Sequence, residues 1–348
     1  MAHPAKWRQP NRLMADHAEL QPRTREPSRG LDPPPPCWRG RALRAGLTSG
    51  VVVFGVGLVT LRWDTYGEII ADADPGWLAL GVALLLVGNL LSTWLHGEIL
   101  SARGTKLAPL DLSRLVLVPN IMKYIPGFVA QAATFYQLGR RAGVDRRGVV
   151  LLFIEAMWVT LAVTAALGAA ALLAVESSVP AWMPACILAG SLIVLIPAVR
   201  DRVLRLARVV PKDAPDALGR LNLRPLLIAA LGVAALGLHG MALALGLGAT
   251  DLTFAESVAA FAGGWVVGLL AFVFPGGLGP RELVASVLLA ELTSPGTAVV
   301  LVIISRFATV VADVIAGTTA LLLPSSSRSA RAKAAGIYAS TAGEATGG

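Results

Sequence analysis

Six ionisable side chains sit inside otherwise apolar stretches of this chain: Lys123, Glu155, Arg281, Glu282, Arg306 and Asp313. Near the centre of a bilayer each costs about 2.5 kcal/mol or more, so a chain that keeps several must pair them or wet them. Arg306 and Asp313 stand seven residues apart, on one helix face about two turns from each other, which is too far for a direct pair. Glu155 and Arg281 are the complements expected to meet them. The densest chemistry lies in Pro275-Gly276-Gly277-Leu278-Gly279-Pro280-Arg281-Glu282. Gly276, Gly277 and Gly279 let the backbone turn and approach another group closely. Pro280 suits the first turn of a helix, whose N-terminus carries free N–H groups and partial positive charge. Arg281 adds a forked donor suited to phosphate, and Glu282 balances it or favours the helix dipole. The chemistry this implies is anion binding. A second cation, Lys123, sits in Lys123-Tyr124-Ile125-Pro126-Gly127, close after Asn120. The carboxylates are isolated, so no acid/base or metal-dependent catalytic set is expected.

The elements that must position these residues are membrane helices. Of 348 residues, 55% are hydrophobic and only 15% charged, with a mean hydropathy of +0.66. That composition excludes an ordinary soluble enzyme and a mostly disordered chain, and reads as an all-α, polytopic membrane bundle. Residues 1–45 form an Arg- and Pro-rich tail with Pro33-Pro34-Pro35-Pro36, expected to be disordered with a short polyproline II stretch. No apolar run begins near Met1, so a secretory signal is not expected. Residues 324–348 form a second small polar tail, which leaves 46–323 as the membrane domain.

Apolar runs at 45–61, 77–97, 148–175, 181–199, 225–248, 254–273 and 297–323 read as crossings. Residues 115–138 do not, because Pro119 and Pro126 break the helix and Lys123 sits mid-segment. Basic residues flank that segment at both ends (Arg103, Lys106 and Arg114; Arg140, Arg141, Arg146 and Arg147), which predicts a re-entrant hairpin buried in protein or lining a wet cavity. Residues 274–293 either re-enter or cross. Re-entry gives seven spans and a C-terminus outside; crossing gives eight and places Arg328, Arg331 and Lys333 inside. The basic loop 200–224 separates two halves in which the same order recurs: a Pro-Gly break (Pro126-Gly127, Pro275-Gly276), a short amphipathic stretch, a Gly-containing turn (Gly143, Gly296) and a long span with an early ionisable residue (Glu155, Arg306). Paired broken helices of this kind point to a midplane substrate site.

Other readings are weaker. Cys37 and Cys186 are too isolated for a disulfide framework or a zinc site, and two of four histidines, His3 and His17, lie in the tail, so no metal or other cofactor is expected. His96 and His239 sit on apolar faces and read as satisfied core groups. Trp63, Trp77, Trp158 and Trp182 read as interface anchors. The net charge of +8 comes from basic loops and tails in the positive-inside pattern rather than from a nucleic-acid-binding module. It places the N-terminus in the cytoplasm and attracts anionic lipid.

The run Lys123-Tyr124-Ile125-Pro126-Gly127, then Gly143-Val144, Glu155, the Pro275–Glu282 stretch and Arg306 resembles the flippase-like membrane domain of lysylphosphatidylglycerol synthases and their stand-alone relatives, over roughly residues 46–323. The resemblance implies an integral domain of a bacterial cell membrane that moves an anionic, aminoacylated or polyprenyl-linked lipid between leaflets. In the synthases aminoacyl transfer belongs to a separate soluble domain, so no synthase activity is implied here. Many relatives carry a glutamate and an arginine shortly after the first Pro-Gly, where this chain has Phe128-Val129-Ala130-Gln131-Ala132; that shifts the expected substrate from a lysyl-lipid toward a differently charged or glycosylated one. The expected lipid-contacting set is Lys123, Tyr124, Pro126, Gly127, Glu155, Gly276, Gly277, Gly279, Arg281, Glu282, Arg306 and Asp313. The rival readings are an intramembrane transferase using a lipid-linked donor, a scaffold docking a cytoplasmic or membrane enzyme through 200–224 and the N-terminal tail, and an ion-coupled solute transporter. Self-association into a homo-oligomer is compatible with all of them.

Overall fold

Prolines and polar caps set where the helices start. The computed structural model describes residue 67 and residues 70–124, 129–206, 223–271 and 279–323, and among these every regular element is an α-helix. They are α1 (Pro75–Ala102), α2 (Pro109–Met122), α3 (Val129–Arg141), α4 (Arg146–Ala174), α5 (Trp182–Leu195), α6 (Pro197–Leu206), α7 (Leu223–Gly246), α8 (Phe254–Leu270), α9 (Pro280–Ala290) and α10 (Pro295–Leu322). Proline opens α1, α2, α9 and α10, where its missing N–H is not needed. Side-chain caps satisfy other orphan donors. Asp74 accepts from the Gly76 N–H (2.7 Å), Ser294 from the Thr297 N–H (3.1 Å), and Thr253 and Glu256 form a reciprocal capping box at the start of α8.

Among the described residues four helices, α1, α4, α7 and α10, are long and apolar enough to cross a membrane. The pair α5/α6 makes a fifth if it is one span; it bends by 85° at Ile196, whose backbone is extended (ψ 123°) ahead of Pro197, as proline requires of its predecessor. The described residues thus hold four or five of the seven or eight crossings expected. The run 45–61 lies outside the described residues. The run 254–273 was expected to cross, yet α8 has 17 residues, about 25 Å of helix against a hydrocarbon core of about 30 Å. Pro119 does not break its helix either: it lies inside α2, and Pro126 lies outside the described residues.

Packing shows what the short helices do. The antiparallel pair α1 and α7 packs closely: the Asp74 N–H donates to the Gly246 carbonyl (2.8 Å), and His239 Nδ1 meets the Gly81 carbonyl (2.9 Å). Helix α3 folds back on α2, with Gly139 against Leu115 and Leu138 against Leu117 and Val118. Helix α9 folds back on α8, with Arg281 against Gly268 and Leu288 nearest Gly263. The two hairpins open at opposite ends of the bundle. The first opens at the end carrying Arg103 and Arg114. The second opens at the other end, where Leu243, Leu252, Leu289 and Ala298 share one cluster.

The last helix ends beside the first hairpin's mouth. Arg114 Nε donates to the Ala320 carbonyl (2.8 Å) and Arg114 Nη2 to that of Leu323. The described chain therefore finishes at the basic end of the bundle even though 280–290 belongs to a hairpin. Helices α8 and α9 start and finish at the same end of the bundle. Contacts between helices also come in matched pairs: α2 on α10 and α8 on α4, α1 on α2 and α7 on α8, α3 on α4 and α9 on α10. Small residues permit the closest crossings; a Cβ on Gly240 would collide with Ser257 and Phe261, and one on Gly317 with Ile121.

Candidate functional site

The hairpins converge on the middle of α10. Arg306 and Asp313 are the twelfth and nineteenth residues of a 28-residue helix, so both are more than two turns from either end. From the first hairpin, Lys123 Nζ lies 2.7 Å from Asp313 Oδ2, and the Tyr124 hydroxyl donates to the same oxygen at 2.6 Å. Asn89 of α1 donates its amide to Asp313 Oδ1 (3.3 Å) and accepts one from Asn120 of α2 (3.1 Å). From the second hairpin, Glu282 Oε1 lies 3.6 Å from Arg306 Nε, and Glu282 Oε2 accepts the Gly279 N–H at 2.7 Å. Gly279 holds φ +95°, a conformation that side-chain-bearing residues rarely adopt, and its turn aims α9 into this cluster. Both cations flank the Tyr124 ring, Lys123 Nζ at 5.3 Å and Arg306 Cζ at 5.5 Å from its centroid, within cation–π range.

These residues border a cavity of about 360 Å³ whose walls come from α1–α4 and α7–α10. Lys123, Arg281, Arg306 and Asp313 line it, together with Asn89, His96, Gln131, Phe135, Trp265 and apolar residues of α1, α4 and α7. Among the described residues Arg281 has no hydrogen-bond or ion-pair partner, and its stem rests on Gly268, where any side chain would displace it. Three cations face the cavity against one carboxylate, with Glu282 behind Arg306, so the site carries an excess positive charge.

This family of charges was only partly legible from the sequence. Lys123, Tyr124, Arg281, Glu282, Arg306 and Asp313 are brought together, and Gly279 shapes the approach. Pro126, Gly127, Gly276 and Gly277 lie outside the described residues. Glu155 is not part of the cluster. It was expected to meet Arg306 or Asp313, but its two oxygens are taken by Arg103 and by Arg200 Nη1 (3.2 Å), near the basic end of the bundle. Arg200 is fully buried and also meets Asp201 (3.0 Å). Arg281 likewise does not supply the counter-charge of Asp313; Lys123 does. His239 is a satisfied core group, as read, between Gly81 and Ser305 Oγ (2.9 Å). His96 is held through Nδ1 at the Ser92 carbonyl (2.7 Å) and also lines the cavity. Trp158 donates its indole N–H to the Val194 carbonyl (3.0 Å) and ties α5 to α4. Asn89, Ser92 and His96 were missed. Their signal was a polar stripe at i, i+3 and i+7 on an otherwise apolar helix.

A comparison with family models matches the Lysylphosphatidylglycerol synthase TM region over residues 44–317. The chain belongs to that family. No curated protein matches it. Membership in the lysylphosphatidylglycerol synthase TM region family, with helices long and apolar enough to span, makes this a multi-pass membrane protein of a family tied by name to a phospholipid. The matched segment takes in every residue of the charged cluster.

Proposed function

We propose that this protein carries the anionic headgroup of a membrane lipid, a phospholipid or a polyprenyl-linked lipid, between the leaflets of the cell membrane. The observation that supports this most directly is Arg281: a guanidinium with no hydrogen-bond or ion-pair partner among the described residues, lining a cavity between hairpins that enter from opposite ends of the bundle. A lone guanidinium in low dielectric is costly unless an anion meets it, and its planar fork suits phosphate. The acyl or polyprenyl tail can stay in the bilayer, so only the headgroup needs a polar path. On this reading Asp313 and Glu282 hold Lys123 and Arg306 when no headgroup is present, and the headgroup phosphate competes for those cations.

The matched packing of α1–α4 and α7–α10 is, on this reading, an internal duplication of inverted topology. Such repeats place substrate at their interface and expose it to each side in turn. The positive-inside pattern puts the end bearing Arg103, Arg114 and Arg140 in the cytoplasm. The protein is read as a carrier and not as a lipid-modifying enzyme.

The test is a headgroup-accessibility assay on the purified chain in vesicles, over a panel of anionic and polyprenyl phospholipids. Arg281→Ala should stop movement while the circular dichroism spectrum and elution volume stay unchanged. Unaltered movement in that variant overturns the reading, and chemical conversion of a lipid by the purified chain replaces it with the transferase.

A further inference from the structure

Beyond the charged cluster the cavity continues along α1. Asn89, Ser92 and His96 form one stripe about 10 Å long, and Asn120, Gln131 and Thr160 line the same cavity from α2, α3 and α4. This wall holds hydrogen-bonding capacity that the fold leaves unused. Helical Ser and Thr hydroxyls ordinarily bond back one turn, as Thr93 does to the Asn89 carbonyl (3.0 Å), Ser191 to Ile187 (2.7 Å) and Thr309 to Ser305 (2.8 Å). Among the described residues, Ser92, Gln131 and Thr160 make no side-chain hydrogen bond. His96 Nδ1 lies 2.7 Å from the Ser92 carbonyl, which can only accept, so a neutral ring turns a bare Nε2 acceptor outward. The wall therefore presents donors and acceptors but no charge.

The carboxylates are closed to a cation. Asp313 is covered by Lys123, Tyr124 and Asn89, and Glu282 lies off the cavity lining, its Oε2 on the Gly279 N–H and its buried Oε1 3.6 Å from Arg306 Nε without a hydrogen bond. An ammonium group entering beside Arg281 meets net positive charge and no open counter-ion.

We infer that the cavity selects a lipid phosphate whose remaining headgroup is uncharged and hydroxylated, a glycerol, inositol or sugar, and rejects an aminoacylated one. The phosphate sits at Arg281, and the hydroxyls run along Asn89, Ser92, Gln131 and Thr160. The inference rests on the lipid-carrier reading and narrows it to a substrate class. The shared chemistry, a polyol phosphate, also occurs in soluble molecules, which the experiment separates.

The full chain is reconstituted in phosphatidylcholine vesicles with trace fluorescent phosphatidylglycerol, phosphatidylinositol or lysylphosphatidylglycerol, and loss of probe to an external reductant is timed. Uptake of labelled glycerol 3-phosphate is measured in the same vesicles. The two neutral-polyol lipids should move at least about tenfold faster than the lysyl lipid, the difference one unpaired charge-assisted contact makes. Gln131→Leu and Thr160→Val should each slow phosphatidylinositol about fivefold without changing the thermal midpoint. Equal or faster movement of the lysyl lipid overturns the selectivity and leaves the carrier reading standing. Uptake of glycerol 3-phosphate without lipid movement overturns the lipid as source. Movement of none of the four probes overturns both readings.

Discussion

Two ionic clusters in this molecule use the same kinds of residue and reach opposite ends. At the basic end of the bundle, Arg103 and Arg200 grip the two oxygens of Glu155, and Asp201 answers Arg200; two cations meet two carboxylates, Arg103 Nε and Nη1 make no hydrogen bond among the described residues, and neither Glu155 nor its arginines line the cavity. At the middle, Lys123, Arg281 and Arg306 outnumber the carboxylates beside them, and all three cations face the cavity. The first arrangement ties α1, α4 and α6 together after the 85° bend. The second leaves Arg281 on the cavity wall with no ion-pair partner among the described residues. Intramembrane charge alone therefore does not mark a site; charge left over in a cavity does.

Breaking the closed cluster should have the largest effect on stability. Glu155→Ala leaves two buried arginines without their shared carboxylate, and loss of one partner of a buried pair costs about 3–5 kcal/mol. The measurement is a thermal melt in detergent, where a midpoint equal to that of the parent chain would deny the cluster its structural role. Asp313→Asn probes the open cluster in the same way and should cost less, about 1–3 kcal/mol, because Lys123 is partly exposed and stays solvated when its counter-charge goes. The same change makes the cavity more positive, so binding of an anionic lipid should tighten while its release slows, which equilibrium binding and movement assays read separately.

Two glycines sharpen the contrast between wall and cavity. Gly240→Ala drives a methyl into Ser257 and Phe261 at the α7–α8 crossing and should cost about 1–3 kcal/mol. Gly232 lies on the same helix, lines the cavity and has nothing within 4 Å of a built Cβ. Gly232→Ala should gain up to about 1 kcal/mol from helix propensity, whereas Gly232→Leu should keep the fold and block the cavity. A smaller effect lies at the end opposite Arg103. There the Ser178 hydroxyl and N–H (2.9 Å) donate to the Glu291 carboxylate and hold its pKa below the usual range. A depressed carboxyl stabilises the fold above its unfolded-state pKa, and that stability fades as the pH falls through the folded value. Ser178→Ala should therefore lower the melting midpoint slightly at pH 7, with the difference from the parent chain vanishing in acid.

The amino-acid sequence by itself determined the membrane class and the residue types of the cluster. Composition and apolar run length respond to the bilayer as solvent, and charges placed against that solvent stand out one by one. It did not determine their partners. Arg306 and Glu282, or Lys123 and Asp313, meet only because hairpins from opposite ends fold back to the same turns of α10, and such pairings lie between residues far apart in the chain. Glu155 and Arg306 occupy corresponding places along their halves, yet one is held by arginines at the rim and the other faces the cavity. Tertiary packing also decided that 254–273 is one arm of a hairpin, since 17 apolar residues look alike whether they stop short of the far leaflet or reach it. Arg281 was conspicuous as a residue from the start; that it has no partner among the described residues is a property of three-dimensional neighbours, which no local pattern encodes.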